Sequence, residues 1–168
     1  MHSFLEYPSS SSSPRRMERN SFQTAVRRSN IQQTGSLAAT ILFVDDDTEI
    51  LDAHRLLFED LGYTVHTADS GEGALHLLTA LTVDAVVVDY LMPTMNGEET
   101  ARRIRGWRGE IPIILFSGSL PLPKPVLKVF DSCVDKGLGS EALVEALESL
   151  LCAEESVAQD VVHEQTPG

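Results

Sequence analysis

Three short, nearly uninterrupted apolar runs limit what this chain can fold into more than any other feature. They are Thr40-Ile41-Leu42-Phe43-Val44, Val83-Asp84-Ala85-Val86-Val87-Val88 and Ile111-Pro112-Ile113-Ile114-Leu115-Phe116. A half-exposed antiparallel strand would alternate polar and apolar residues. Continuous β-branched runs instead suit strands covered on both faces, as in a parallel sheet. Tyr63-Thr64-Val65-His66-Thr67 and Ser132-Cys133-Val134-Asp135 are weaker strand candidates.

Helical patterns separate these runs. Ile50, Leu51, His54, Leu57, Phe58 and Leu61 recur at helical spacing, with Asp47 placed to cap the start and Gly62 at the C-terminal end. Ala74, Leu75, Leu77, Leu78 and Leu81 form a second stripe after Ser70-Gly71. Glu98 to Trp107 is a third, carrying Ala101, Ile104 and Arg105, with Trp107 expected to pack at its end. Ala142, Leu143, Ala146, Leu147, Leu150 and Leu151 form the last, which Ser140 can cap. Between 121 and 131, Pro121, Pro123 and Pro125 hold any helix to a short one starting no earlier than Lys124. Strand and helix therefore alternate five times. This pattern predicts an α/β domain with a doubly wound, five-stranded parallel sheet and helices on both faces.

Charge divides the 168 residues into three parts. Residues 1–36 hold five Arg and two Glu, with a serine run from Ser9 to Ser13, and are expected to be a disordered basic extension in which Met17 is an alternative first residue. Residues 37–152 carry a net charge of −11 and hold every strand and helix pattern. Residues 153–168 carry −4 and are expected to form a flexible acidic tail. The total of −12 excludes the positive field that nucleic-acid binding or a polybasic membrane contact needs. No apolar run approaches the ~18 residues that span a bilayer. Cys133 and Cys152 cannot build a disulfide framework, which fits a reducing, cytoplasmic setting. Cys133 is expected to be a small buried apolar residue without redox function, and His2, His54, His66, His76 and His163 show no metal-ligand spacing.

In an open parallel sheet the working residues gather where the strands end. Here the first strand runs into Asp45-Asp46-Asp47, the third into Asp89, the fourth into Ser117-Gly118-Ser119 and the fifth into Lys136-Gly137. Three carboxylates brought together repel, so they take up protons or bind a cation. An all-oxygen set completed by water suits Mg²⁺ and leaves positions for phosphate oxygens. One carboxylate can then attack a phosphoryl group to give an aspartyl phosphate, with Lys136 and Ser117 of the right types to steady the transferring group.

These motifs resemble the receiver domain of two-component response regulators over about residues 40–152. The first acidic strand end, Val86-Val87-Val88-Asp89-Tyr90-Leu91-Met92-Pro93 with Met95-Asn96-Gly97, Ile113 to Gly118, and Val134-Asp135-Lys136 occur in that family's order and spacing. The resemblance implies a flavodoxin-like (βα)₅ fold and a phosphoryl group carried on Asp89. It implies an acidic pair of Asp45 and Asp46, Asp46 being the more direct Mg²⁺ ligand, with the Leu91 carbonyl as a further ligand. Ser117 and Lys136 would contact the phosphoryl group, and Gly97 would allow the tight turn into the third helix. The implied partners are a histidine kinase or phosphotransfer protein as donor and a downstream protein target, with self-phosphorylation and dephosphorylation but no separate substrate turnover. Homodimerisation on phosphorylation is compatible with the family. A helix-turn-helix does not fit after residue 152, so a single-domain receiver is expected.

The chain also departs from the family pattern. Cys133 stands where an aromatic residue usually lies three before the lysine, and Gly137 stands where proline usually follows it. With a short fourth helix, these leave open the alternative of a degenerate receiver, acting as an interaction module without phosphorylation. Two enzyme readings fail. A haloacid-dehalogenase-like motif from Asp45 would need Thr or Val where Glu49 stands, and Gly71-Glu72-Gly73 lacks the rest of a dinucleotide fingerprint.

Overall fold

The computed structural model describes the backbone of residues 38–162 and the side chains of 38–152. The extension expected over 1–36, with Met17, lies outside the described residues. The elements run β1 (Thr40–Val44), α1 (Thr48–Asp60), β2 (Thr64–Ala68), α2 (Gly71–Leu77), β3 (Ala85–Val88), α3 (Gly97–Trp107), β4 (Ile113–Ser117), α4 (Lys124–Leu127), β5 (Ser132–Asp135), a 3₁₀ turn (Lys136–Leu138) and α5 (Ser140–Val162). All strand pairs are parallel, in the order β2-β1-β3-β4-β5. The chain crosses from β1 to β2 on one side, then back to β3 on the other. The crevice at this reversal is where such sheets place their ligands.

The continuous runs are explained by two half-cores. Ile41, Phe43, Ala85, Val87, Ile114, Phe116 and Val134 face one side, against Leu51 and Phe58 of α1 and Leu143 and Leu147 of α5. Leu42, Val44, Val86, Val88, Ile113 and Leu115 face the other, against Ala74, Leu78, Ala101 and Ile104. Successive residues of a strand point to opposite faces, so a strand covered twice has no polar position.

Caps fix the helix starts. The Asp47 carboxylate accepts from the N–H groups of Glu49 and Ile50, Ser70 Oγ from Gly73, and Asn96 from Glu99. Gly62, at φ 98°, supplies the left-handed residue after α1. Ser140 is the first residue of α5 rather than a cap before it. The backbone of α5 continues to Val162, past the boundary placed at 152.

Other boundaries also moved. Asp84 lies outside β3, where its carboxylate accepts from Thr40 N–H at 2.6 Å and ties the two strand starts together. β4 begins at Ile113, after Pro112, whose missing N–H cannot join a ladder. α4 is a single turn, as its prolines required. Consequently Cys133 is exposed, contrary to the expectation of burial. β5 is an edge strand, Val134 turns toward α5, and one turn of helix does not cover the opposite face. What burial the Cys133 thiol has pushes its pKa up, away from the reactive thiolate. Trp107 is likewise half exposed rather than packed, with the Arg108 guanidinium 5.0 Å from its ring centroid.

One clamp was not anticipated. The Arg105 guanidinium donates to the carbonyls of Val129, Gly109 and Ile111 and pairs with Asp131, whose carboxylate also accepts from Ile113 N–H. It joins the end of α3 to the starts of β4 and β5. Among the described residues no helix is long and apolar enough to cross a membrane.

Candidate functional site

Parallel register places the site. Val44 pairs with Val88, so the residues that follow, Asp45 and Asp89, leave the sheet side by side. Ser117 pairs with Asp135 two strands along, which sets Lys136 at the same edge. Asp45 and Asp89 are buried and Asp46 is exposed. One carboxylate oxygen from each lies within 4.8 Å of the others.

Lys136 closes the cluster. Its ammonium donates to Asp45 Oδ2 at 2.7 Å and lies 3.0 Å from Asp89 Oδ1. Burial works against the charge on Lys136, but its bonds to Asp45 and Asp89 outweigh this and hold its pKa above the ordinary lysine value. The remaining oxygens are also engaged. Asp45 Oδ1 accepts from Asp47 N–H at 3.0 Å, and Asp89 Oδ2 accepts from Leu91 N–H at 2.8 Å. Ser117 is buried; its Oγ accepts from Ser119 N–H at 3.3 Å, and its hydroxyl hydrogen has no acceptor among the described residues. Leu91 itself is exposed beside Asp89.

The loop after Asp89 is tightly built. The Gly97 N–H donates to the Tyr90 carbonyl at 3.0 Å, and a Cβ on Gly97 would lie 2.1 Å from the Asp89 carbonyl oxygen. Gly97 is therefore required by close approach of two backbones, not by the tight turn expected of it. Thr94, in the same loop, has φ 65°, a costly conformation for a β-branched residue.

The structure brings Asp45, Asp46, Asp89 and Lys136 together and sets buried Ser117 at the end of the neighbouring β4. The donor set fits Mg²⁺. It is all oxygen, it is anionic, and it has one exposed member, Asp46, free to adjust. Oxygens across an octahedral Mg²⁺ lie about 4.2 Å apart, a span close to that of the cluster. One neighbour carries no metal-ligand spacing in the sequence: His54 is buried against Phe43 and Phe116 beside this site. Its signal was a polar residue inside the inward-facing stripe of α1.

A five-stranded doubly wound sheet with an acidic cluster and a bridging lysine at its carboxyl edge defines a receiver-type architecture. The family model described as the response regulator receiver domain matches residues 41–148, and the chain belongs to that family. It is 29% identical over 118 residues to response regulator MprA of Mycobacterium tuberculosis, covering 68% of this chain and 51% of that protein. It is 31% identical over 114 residues to the Mycolicibacterium vanbaalenii MprA, covering 66% and 49%. The chain thus spans about half the length of the curated relatives it matches. Among solved structures it is similar to response regulator protein TrrA from Thermotoga maritima in complex with Mg(2+)-BeF, at TM-score 0.63 and 30% identity over 67% of this chain and 98% of that one. A CheY-like receiver domain protein from Methanospirillum hungatei gives TM-score 0.67 and 27% identity, over 71% and 98%. These matches carry the flavodoxin-like receiver fold.

Proposed function

We propose that this domain accepts a phosphoryl group on Asp89 from the phosphohistidine of a histidine kinase or phosphotransfer protein, in a Mg²⁺-dependent reaction, and signals by binding a protein target. The observation that carries this reading is the Lys136 ammonium shared between Asp45 and Asp89, within a cluster of three carboxylates. The relative with Mg(2+)-BeF bound supports the metal assignment. Bound Mg²⁺ would neutralise charge on the transferring oxygens, held by Asp45, Asp46, Asp89 and the Leu91 carbonyl.

An Asp89 carboxylate oxygen attacks phosphorus as the donor's P–N bond breaks. The electron pair of that bond leaves with the imidazole, which takes up a proton, and an acyl phosphate remains on Asp89. Lys136, already 3.0 Å from Asp89 Oδ1, is positioned to follow the negative charge onto the phosphoryl oxygens. The unspent hydroxyl hydrogen of Ser117 supplies a second donor.

The test is intact-mass spectrometry after incubation with acetyl phosphate and Mg²⁺. Wild type should gain one phosphoryl mass, lost on chelating the metal, and Asp89→Ala should gain none. Exposed Cys133 and the one-turn α4 favour the second reading, an interaction module without phosphorylation. No mass gain in wild type, with no Mg²⁺ binding, would refute the first reading and favour the second.

A further inference from the structure

The arch between Asp89 and α3 is mostly exposed, yet two of its side chains are deeply buried. Leu91, Pro93, Thr94 and Asn96 face solvent, whereas Met92 and Met95 are only 7% and 3% exposed. Met92 belongs to the half-core of Val86 and Val88. Met95 packs against the start of α2. A Cβ built on Gly71 would lie 2.9 Å from Met95 Sδ and 3.1 Å from its Cγ, and would collide with Thr100 Oγ1 of α3. The missing side chain of Gly71 thus leaves a notch that the Met95 thioether occupies, an irregular gap of the kind an unbranched, polarizable side chain fills well. Between the two methionines stands Thr94, at φ 65°. A conformation so costly for a β-branched residue persists only where the surrounding structure over-determines it. The backbone bonds of the arch are few: Met95 N–H to the Pro93 carbonyl at 2.7 Å and Gly97 N–H to the Tyr90 carbonyl at 3.0 Å, with Leu91 N–H on Asp89 Oδ2 at 2.8 Å. Met92 before Thr94 and Met95 after it supply the remaining hold.

We propose that Met95 is a positioning residue: seated in the Gly71 notch, it fixes the arch that carries Leu91, whose carbonyl is the backbone ligand of the proposed Mg²⁺ site. The carboxylates of Asp45 and Asp46 follow β1 and do not depend on this arch. Losing the Met95 contact therefore moves one ligand of the set and leaves the others in place. The two common hard cations respond differently to that change. Mg²⁺ demands near-ideal octahedral geometry, whereas Ca²⁺ accepts irregular oxygen sets. A loosened arch therefore weakens Mg²⁺ binding more than Ca²⁺ binding. The metal role of Met95 rests on the receiver reading; its seat against Gly71 does not.

The test is calorimetric titration of the folded full chain with Mg²⁺ and, separately, with Ca²⁺, alongside urea unfolding. Met95→Ala should bind Mg²⁺ about tenfold more weakly, as losing a ligand's outer support does, and Ca²⁺ no more than about threefold more weakly. Met95→Leu conserves the volume in the notch and should stay within about threefold of wild type for both ions. Leu143→Ala, a deletion in the opposite half-core, should lose stability without changing either affinity. A second route does not require emptying the notch. Thr100→Ala removes the hydroxyl that a Gly71 Cβ would strike and should bind both ions as wild type does; adding Gly71→Ala then crowds Met95 alone and should reproduce the Mg²⁺ loss. Selective Mg²⁺ loss in Met95→Ala, or in the Gly71→Ala/Thr100→Ala pair if Met95→Ala does not fold, supports the proposal. Mg²⁺ affinity within threefold of wild type in those variants, or equal loss of both ions, overturns it. Wild type that neither binds Mg²⁺ nor gains phosphoryl mass instead refutes the receiver reading and, with it, the metal role of Met95.

Discussion

Gly97 offers a direct test of how the α3 start holds the loop after Asp89. A Cβ added there meets the Asp89 carbonyl oxygen at 2.1 Å, and the Asp89 carbonyl carbon and Tyr90 Cα at 3.0 Å each. Every one of these atoms is backbone, so no side chain can rotate away. Restoring ordinary contact requires a shift of about 1 Å between α3 and the end of β3. Overpacking of this kind costs about 1–3 kcal/mol. The larger consequence is at Asp89, whose Oδ1 lies 3.0 Å from Lys136 Nζ and whose Oδ2 accepts from Leu91 N–H. Misplacing a reacting atom by about 1 Å costs on the order of 10²-fold in rate. Gly97→Ala should therefore lower the acetyl phosphate phosphorylation rate about 100-fold, far more than its loss of stability implies. Gly106→Ala is the control. It lies in the same helix with open space around its Cβ, and should raise stability by about 0.5–1 kcal/mol without changing the rate. The assay is phosphoryl-mass gain against time, alongside urea unfolding. If Gly97→Ala is phosphorylated within threefold of wild type, the close approach does not govern the position of Asp89.

Three further outcomes are expected. Arg105→Met strips a partner from three carbonyls and from Asp131 at once, and should cost about 2–3 kcal/mol in urea unfolding while leaving the phosphorylation rate near wild type. Thr94→Asn puts a residue that tolerates φ 65° into the strained loop position and should raise stability by about 0.5–1 kcal/mol; a lower melting temperature would contradict the strain. Tyr63 has its pKa pushed up to about 12 by burial first, then by Glu148 and Cys152. The neutral phenol is favoured in the fold, so its contribution is complete below pH 10 and is lost as pH rises from 10 toward 12. Relative to Tyr63→Phe, which cannot titrate, wild type should lose about 1.4 kcal/mol between pH 8 and pH 11. Equal losses in the two proteins would refute the assignment.

The fold was legible because parallel sheets leave a strong local trace. Runs such as Ile41–Val44 and Ala85–Val88 have no polar position, and Asp47, Ser70 and Asn96 cap the helices that follow. The site was legible for a related reason. Both central runs stop at an aspartate, so pairing Val44 with Val88 brings Asp45 to Asp89 without any long-range information. What escaped depends on how much of a face a neighbouring element covers. Cys133 sits in an apolar-looking strand, but its exposure is decided by the length of α4 across from it, and one turn is too short.

The residues around the acidic cluster show the same division. Lys136 was readable as a strand-end cation, but its sharing between Asp45 and Asp89 follows from the meeting of three separate strands. Gly97 was readable as a glycine needed at the start of the third helix, and the structure gives close approach to the Asp89 backbone as the reason. His54 was readable only as a member of the α1 stripe. A histidine there is accommodated because its ring stacks on Phe43 and meets Phe116 edge-on. Where this chain replaces the family's aromatic residue by an exposed Cys133, the opposite face of the sheet carries Phe43, Phe58, Phe116 and His54 in one cluster. The aromatic contacts near Asp45 and Asp89 therefore lie on the α1 face of the sheet.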